Sequence, residues 1–427
     1  MSQKIDLTYE AKYNLLRDIS NKIRNTFDLD IILNQLLDTL KTIMNYDAGG
    51  IFVLNEDIEH YGYNFPGQKI AGIAKRGYVR TDASDEMLFK GRGIIGYVIK
   101  SGKGIVIPDV RKNSRYVEGR RQTLSEITVP ICRNGLTVGA LDVESDRLNA
   151  FDESDLELLQ FFADAASISI EKALLHNQIL DKKKIEEQLK IAKDVQAGLL
   201  PTESPSIKDY DIAGLCIPTY EIGGDYYDYV KIDENRLAVI IADVSGEGIP
   251  SALIMAAFRA FFHDQIKLYT EPDKLMVQLN NQIAGFIRRR DFISVFLGIL
   301  NIHDHSLTYT NCGHNPPILF RADGEEELLK TNGPALNVVK NPVFDIHKIN
   351  LSKGDQILLY TDGVVEIFNR NLEEFGMERL KTVLQKMSTI NASCVIETIV
   401  KETKEFSQAQ LYKDDFTIVV VKRKSWE

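Results

Sequence analysis

NRLAVIIADVSGEGIP, residues 235–250, joins a strongly apolar strand over 235–244 to a glycine-rich turn, and a carboxylate, Asp243, closes the strand. Three further segments share this plan. EIGGDYYD sets Asp225 directly behind a glycine pair, ILLYTDGVVE ends an apolar strand on Asp362, and YKDDFTIVVV opens the last strand with Asp414 and Asp415. A partly buried carboxylate costs several kcal/mol unless it is paired or metal-bound, so aspartates at the ends of hydrophobic strands are poor choices for stability. One of them is an ordinary turn or cap. Four, each beside a glycine or at a strand end, are better explained by convergence on divalent cations. Short hard carboxylates without His or Cys suit Mg²⁺ or Mn²⁺ rather than zinc.

Around these segments the pattern alternates between strand and helix. Residues 209–218, 224–232 and 235–244 read as strands, 250–269 and 273–289 as helices, and 292–301, 306–311 and 315–320 as strands again. Strands over 343–350 and 355–361, helices over 376–388 and 391–406, and a strand over 416–422 follow. Runs of strands enclosed by helix pairs predict stacked antiparallel sheets with helical outer layers. Upstream, no glycine occurs between Gly139 and Gly198 and no proline between Pro130 and Pro201, which predicts continuous helix. Asp152, Ser154 and Asp155 suit its N-terminus. Past Asn177 the helix becomes highly charged, with a sparse seam of Ile185, Leu189, Ala192 and Leu199 that Lys182 and Gln196 interrupt. Such a seam fits either a two-stranded coiled coil or a solvated single helix.

At 427 residues the chain exceeds one core, and two domains plus a connector are expected. The N-terminal part is α+β, with helical patterning from Tyr9 to Met44 and strands over 49–54, 69–74, 126–132 and 136–144. No apolar run approaches the ~20 residues of a membrane span, and MSQKIDLTYE lacks the apolar core of a secretory signal. Four cysteines (Cys132, Cys216, Cys312 and Cys394) form no CxxC pair, so a cytoplasmic protein without zinc or disulfides is expected. The net charge of −10 argues against nucleic acid as a partner. The basic run Arg288–Arg290 reads as a solvated helix end.

GRGIIGYVIKSGKGIVIPDV (91–110), SEITVPI (125–131), VGALDVES (138–145) and FDESDLELL (151–159) together resemble a GAF domain. That resemblance implies an α/β/α sensory or dimerisation domain over 1–176, open to a small-molecule or protein effector, with a connector over 177–200. The remainder, 201–427, resembles the SpoIIE/RsbU branch of the PPM metal-dependent protein phosphatases. The match runs in family order through QAGLLP (196–201), GGDYYD, DVSGEGIPSALIM (243–255), NCGHNPP (311–317), YTDGVVE and DDFTIVVV.

This second resemblance implies a four-layer αββα sandwich that hydrolyses phosphoserine or phosphothreonine, typically on STAS-domain anti-anti-sigma proteins. By it, Asp225 and Asp243 hold two Mn²⁺ or Mg²⁺ ions, with the Val244 carbonyl as a further ligand. Asp362 and Asp414 complete the second ion's shell, with Asp415 the rival for the last place. Asp228 would orient a water beside the metals, and His314 is either a leaving-group acid or the fixed point of a turn. Glu247 stands where relatives often carry His or Lys, and no arginine precedes GGD as in eukaryotic relatives. Gly223, Gly224, Gly246 and Gly363 are expected to make the tight turns that aim the carboxylates. A diguanylate cyclase would need Glu-Phe after GGD, where this chain has Tyr226 and Tyr227. A pseudophosphatase that only binds a partner would lack a metal-site aspartate. A parallel homodimer through the GAF and connector helices is expected.

Overall fold

A computed structural model describes residues 27–54, 70–78, 92–385, 387, 390–408 and 412–425. The chain divides into two compact units, residues 1–184 and 185–427. Of the helical pattern expected from Tyr9 to Met44, the part before Phe27 lies outside the described residues.

In the N-terminal unit, α1 (Leu29–Ile43) begins where the Asp28 carboxylate accepts the Ile31 N–H at 3.1 Å. Its leucines at 29, 33, 36, 37 and 40 recur at helical spacing and are buried. Five antiparallel strands follow: β1 (Ala48–Leu54), β2 (Ile70–Arg76), β3 (Ile105–Ile107), β4 (Ser125–Arg133) and β5 (Leu136–Ser145). They are ordered β2-β1-β5-β4-β3. One sheet face packs Ile127, Val129 and Leu141 against α1 and against Phe162 and Ala166 of α3 (Glu153–Ala197). The other packs Phe52 and Ala140 against Val98 and Ile99 of α2 (Gly93–Ser101). This is the expected α/β/α arrangement.

The predicted breaker-free helix is a single 45-residue element, α3. Asp152 caps it: its carboxylate accepts the N–H groups of Ser154 and Asp155 at 3.0 and 3.2 Å, and Asp155 returns the bond to Asp152 N–H at 2.9 Å. No residue of α3 after Ala173 is buried, and Ile179, Ile185 and Val195 are exposed. The helix stops at Ala197, so Leu199 leaves the expected seam and packs on the core of the C-terminal unit.

That unit holds two five-stranded antiparallel sheets. One contains β7 (Tyr226–Lys231), β8 (Arg236–Val244), β9 (Ile293–Asn301), β10 (Ser306–Cys312) and β13 (His347–Asn350), ordered β13-β10-β9-β8-β7. The other contains β6 (Tyr210–Ile217), β11 (Ile318–Phe320), β12 (Glu326–Leu328), β14 (Gln356–Tyr360) and β15 (Phe416–Arg423), ordered β12-β11-β14-β15-β6. Alternate residues of each sheet meet in one core: Val239, Ile241 and Phe296 from the first, Ile212, Leu359 and Val419 from the second. On the outer face of the first sheet lie α4 (Ile249–Gln265) and α5 (Pro272–Ala284), through Met255, Phe258 and Leu279. On that of the second lie α6 (Gly376–Gln385) and α7 (Ala392–Ser407), through Leu380, Val395 and Ile399. The four layers are α-β-β-α, as expected. Helix α5 ends at Ala284, so Arg288–Arg290 lie in a turn beyond it and not at a helix end.

Candidate metal centre

Each predicted carboxylate is set by its own strand end. Asp225 immediately precedes β7 and Asp243 is the penultimate residue of β8, opposite Ser294. Asp362 starts a 3₁₀ turn after β14, and Asp414 and Asp415 precede β15. The first two aspartates thus come from one sheet and the others from its partner. A bond crosses between them: the Thr361 hydroxyl donates to the Asp225 carboxylate at 2.8 Å.

The charges feel one another. Burial pushes the Asp243 carboxyl up to about 7, helped by Asp362, Asp414 and Asp415. Burial, then Asp243 and Asp415, raises Asp225 well above the usual range. Asp414 is raised by burial and by Asp362, against a bond from the Asp415 N–H. Among the described residues, no three His, Cys, Asp or Glu side chains are gathered closely enough to hold an ion as they stand. The donor set is nonetheless all oxygen, crowded with like charge, and stabilised in its ionised form by added positive charge. A hard divalent cation fits it. The Val244 carbonyl lies against Gly224, the residue before Asp225.

The structure separates the two C-terminal aspartates. Asp415 turns inward and accepts from the backbone N–H groups of Thr219 at 2.8 Å and Gly224 at 2.6 Å. Those bonds hold the turn before Asp225. Among the described residues Asp414 instead accepts the N–H of Asp415 alone, and it shares its field with Asp362. The glycines here answer close approach more than turn conformation. A Cβ on Gly363 would lie 2.1 Å from the Asp415 carbonyl, and one on Gly223 2.3 Å from the Asp415 carboxylate. Only Gly246, with φ of 92°, needs the left-handed conformation expected of the set.

One residue that sequence reasoning passed over is Gln196. Rather than merely interrupting a seam, its amide pairs with both peptide groups of Gly223, donating to the carbonyl at 2.7 Å and accepting the N–H at 3.1 Å. Nearby, Arg259 of α4 donates to the Leu199 carbonyl at 2.6 Å. The last turn of α3 is therefore fastened to the Gly223–Asp225 loop. A polar side chain at a position where the helix pattern calls for an apolar one was the available signal.

Two other candidates have partners of their own. Strand alternation puts Asp228 on the helix-facing side of β7, where it accepts from Tyr226 at 2.6 Å and pairs with His263 of α4 at 2.7 Å. It is not brought to the other carboxylates, and its partners make it a tie between β7 and α4. His314 is buried in a closed turn: its N–H donates to the Asn311 side chain at 2.8 Å, which donates back to its carbonyl at 3.0 Å. Its Nδ1 meets the Ser294 hydroxyl at 2.8 Å, and burial lowers the ring to about 4. The ring is neutral at pH 7, which favours the turn over the acid.

In the N-terminal unit three acids, Glu126, Asp142 and Glu144, are buried together. Tyr78 reaches Asp142 and Glu144 at 2.9 and 3.0 Å, Thr128 reaches Asp142 and Glu126 at 2.6 and 3.3 Å, and Thr123 reaches Glu144. Burial pushes the Glu126 carboxyl well above the usual carboxylate range and raises that of Asp142. Burial and Asp142 push Glu144 up to about 7.

Comparison with known proteins agrees with this architecture. The GAF domain family matches residues 28–170, and the stage II sporulation protein E (SpoIIE) family matches residues 233–424. The chain carries a GAF domain followed by a SpoIIE-type protein serine/threonine phosphatase domain of the PPM class. It is 29% identical over 246 residues to phosphoserine phosphatase RsbU of Bacillus subtilis (strain 168), covering 57% of this chain and 72% of that one. It is 31% identical over 185 residues to phosphoserine phosphatase RsbP of the same organism, covering 42% and 45%. The chain thus spans less than half of RsbP's length. The SiaA-PP2C domain of Pseudomonas aeruginosa superposes with a TM-score of 0.51 at 20% identity, covering 57% of this chain and 98% of that domain, and so shares the fold. No described helix is long and apolar enough to cross a membrane.

Proposed function

We propose that this chain is a divalent-metal-dependent phosphatase acting on phosphoserine or phosphothreonine of a signalling protein, under control of its GAF domain. The observation that supports the reading is that Asp243 of one sheet feels the charges of Asp362 and Asp414 of the other, and Asp225 that of Asp243. Those four, with the Val244 carbonyl, would hold two Mn²⁺ or Mg²⁺ ions. When bound, such ions make the attacking water a nucleophile and neutralise phosphoryl charge. The chain's own part is positional. Asp415, Thr361 and Gln196 fix the loops that carry the ligands, and no Ser, Cys or His nucleophile is needed. The resemblance to RsbU and RsbP, both named phosphoserine phosphatases, supports phosphoserine as the target, and the SpoIIE/RsbU-type motifs suggest a phosphorylated STAS-domain anti-anti-sigma factor as the substrate class. A parallel homodimer through the GAF and connector helices is supported by the exposed Ile179, Ile185 and Val195 on α3, and sedimentation at micromolar concentration tests it.

The deciding experiment measures phosphate release from phosphorylated STAS proteins with MnCl₂ or MgCl₂, using the full chain and its Asp243→Asn variant. Metal-dependent release, abolished by EDTA and reduced by orders of magnitude in the variant, is expected. Undiminished turnover by metal-stripped protein would refute the mechanism. Tight substrate binding without turnover would make the chain a pseudophosphatase.

A further inference from the structure

Every ionisable side chain so far placed at this site is acidic, yet a phosphorylated substrate arrives as an anion. The turn Arg288–Asp291 bears on that mismatch. It carries three arginines against one aspartate in a chain whose net charge is −10, and it is built onto the same end of the first sheet as Asp243. Beyond the last β8–β9 pair, Val244 with Ile293, the ladder continues for one step. Ser245 N–H donates to the Phe292 carbonyl at 3.0 Å, and Phe292 N–H donates to the Ser245 hydroxyl at 2.9 Å. The arginine turn is thus tied directly to the loop that follows Asp243.

Its far side is fixed as well. The Asn337 amide donates to the carbonyls of Arg288 at 3.0 Å and Asp291 at 2.8 Å, while Asn337's own N–H is held by the Asn280 side chain at 2.9 Å. Asp291 takes up one cation, Arg288, at 2.7 Å, and is held below the usual carboxylate range by it. Arg290 stands 3.8 Å from the same carboxylate with 76% of its side chain exposed. Arg289 is exposed and has no ion pair among the described residues. A solvated charge run needs no such anchoring. Here the backbone is fixed, the Arg289 guanidinium has no ion pair among the described residues, and that of Arg290 is held only loosely at 3.8 Å.

We infer that Arg289 and Arg290 form a docking site for acidic residues flanking the phosphorylated side chain of the substrate, an inference that rests on the phosphatase reading above. Spacing supports flanking residues over the phosphoryl group itself. Arg290 is four positions beyond Ser294, the partner of Asp243. Only the first steps from Ser294 are extended and the rest is a turn, so at about 3.3 Å per extended residue the separation is at most roughly 13 Å, within the reach of three to four residues of an extended peptide. Guanidinium forks pair well with carboxylates, and exposed pairs add modestly to affinity and more to selectivity.

The test uses phosphoserine peptides with glutamates three and four positions away on both sides, matched peptides with alanines there, and p-nitrophenyl phosphate, all in MnCl₂. The full chain should prefer the acidic peptide about tenfold in kcat/KM. Arg289→Ala with Arg290→Ala should abolish the preference through KM, leaving p-nitrophenyl phosphate turnover within about twofold. Arg289→Glu with Arg290→Glu should shift the preference to peptides with lysine flanks. Equal use of acidic and neutral peptides by the unaltered chain overturns the inference, as does loss of p-nitrophenyl phosphate turnover in the alanine variant. Fluorescence anisotropy of the labelled acidic peptide separates this inference from the phosphatase reading. Weaker binding to the alanine variant supports the docking site even if nothing is hydrolysed. Binding of a single-stranded oligonucleotide that displaces the peptide and is lost in the variant would assign the turn to nucleic acid instead.

Discussion

Replacing Gln196 with alanine removes two hydrogen bonds to the backbone of one residue, Gly223, at 2.7 and 3.1 Å, without touching any proposed metal ligand. Each is a neutral bond at a half-buried position, with a net worth of about 0.5–1.5 kcal/mol, so the pair contributes about 1–3 kcal/mol. The Gly223–Asp225 loop would not collapse, because Asp415 still holds Gly224 N–H at 2.6 Å. What is lost is one of two clamps on the residue pair before Asp225. If the full amount is drawn from metal binding, the Mn²⁺ dissociation constant rises about 5- to 150-fold. Calorimetric titration of the full chain with MnCl₂ reads this directly, and p-nitrophenyl phosphate rates against Mn²⁺ concentration read it independently. Saturating metal should recover most of kcat, and unfolding in EDTA should shift little. Gln196→Glu keeps an acceptor for Gly223 N–H but sets an oxygen against the Gly223 carbonyl, and should behave like alanine. A Mn²⁺ dissociation constant within twofold of the unaltered chain would refute the claim that Gln196 positions the loop.

Three further outcomes are expected. Asp414→Asn should reduce Mn²⁺ affinity and kcat sharply with little change in folding, whereas Asp415→Ala should lower thermal stability as well, since two backbone N–H groups lose a charged acceptor worth about 1.5–3 kcal/mol each; equal melting temperatures would contradict the division of roles. Gly363→Ala should destabilise by about 1–3 kcal/mol in chemical denaturation, because the new methyl meets backbone that cannot swing aside; an unchanged midpoint would contradict it. Glu144 binds its proton more tightly folded than unfolded, so its contribution to stability falls as pH rises from its ordinary 4.5 through about 7. Glu144→Gln should therefore raise the melting temperature at pH 8 more than at pH 5, and an equal shift at both would show that the buried acids do not repel.

How much of this could be read from the chain depended on the range of the interaction. β8 announced itself because an apolar run of strand length ending in Asp243 is a local pattern, and α3 because breakers are absent over a long stretch. β3 and β12, at three residues each, are too short to show an alternation, and α2 starts on Gly93 and is capped by Gly102, a short helix bounded by helix-breaking residues. Asp228 was misplaced although period-two alternation, applied from Tyr226, sets it on the opposite face from Asp225. Gln196 could not be assigned because its partner lies 27 residues on and is backbone, which leaves no mark in side-chain pattern. The choice between Asp414 and Asp415 is of the same kind. Both open the same strand, and only the distant N–H groups of Thr219 and Gly224 distinguish them.

The placement of these ties bears on how the site could be regulated. The carboxylates come from both sheets, so their mutual spacing depends on how the sheets are cross-linked at this end. Among the described residues the cross-links include Thr361 to Asp225, and Asp415 to the Thr219–Gly224 turn. Gln196 grips that same turn from outside both sheets, and Arg259 of α4 grips the chain just after it. A small displacement of the last turn of α3 would therefore act on the Gly223 peptide before it acted on any core residue. The tightly packed cores on either side resist such a shift, while two neutral hydrogen bonds do not. Coupling between the helix and the carboxylates thus needs no rearrangement of the sandwich, only a change in how Gly223 is held.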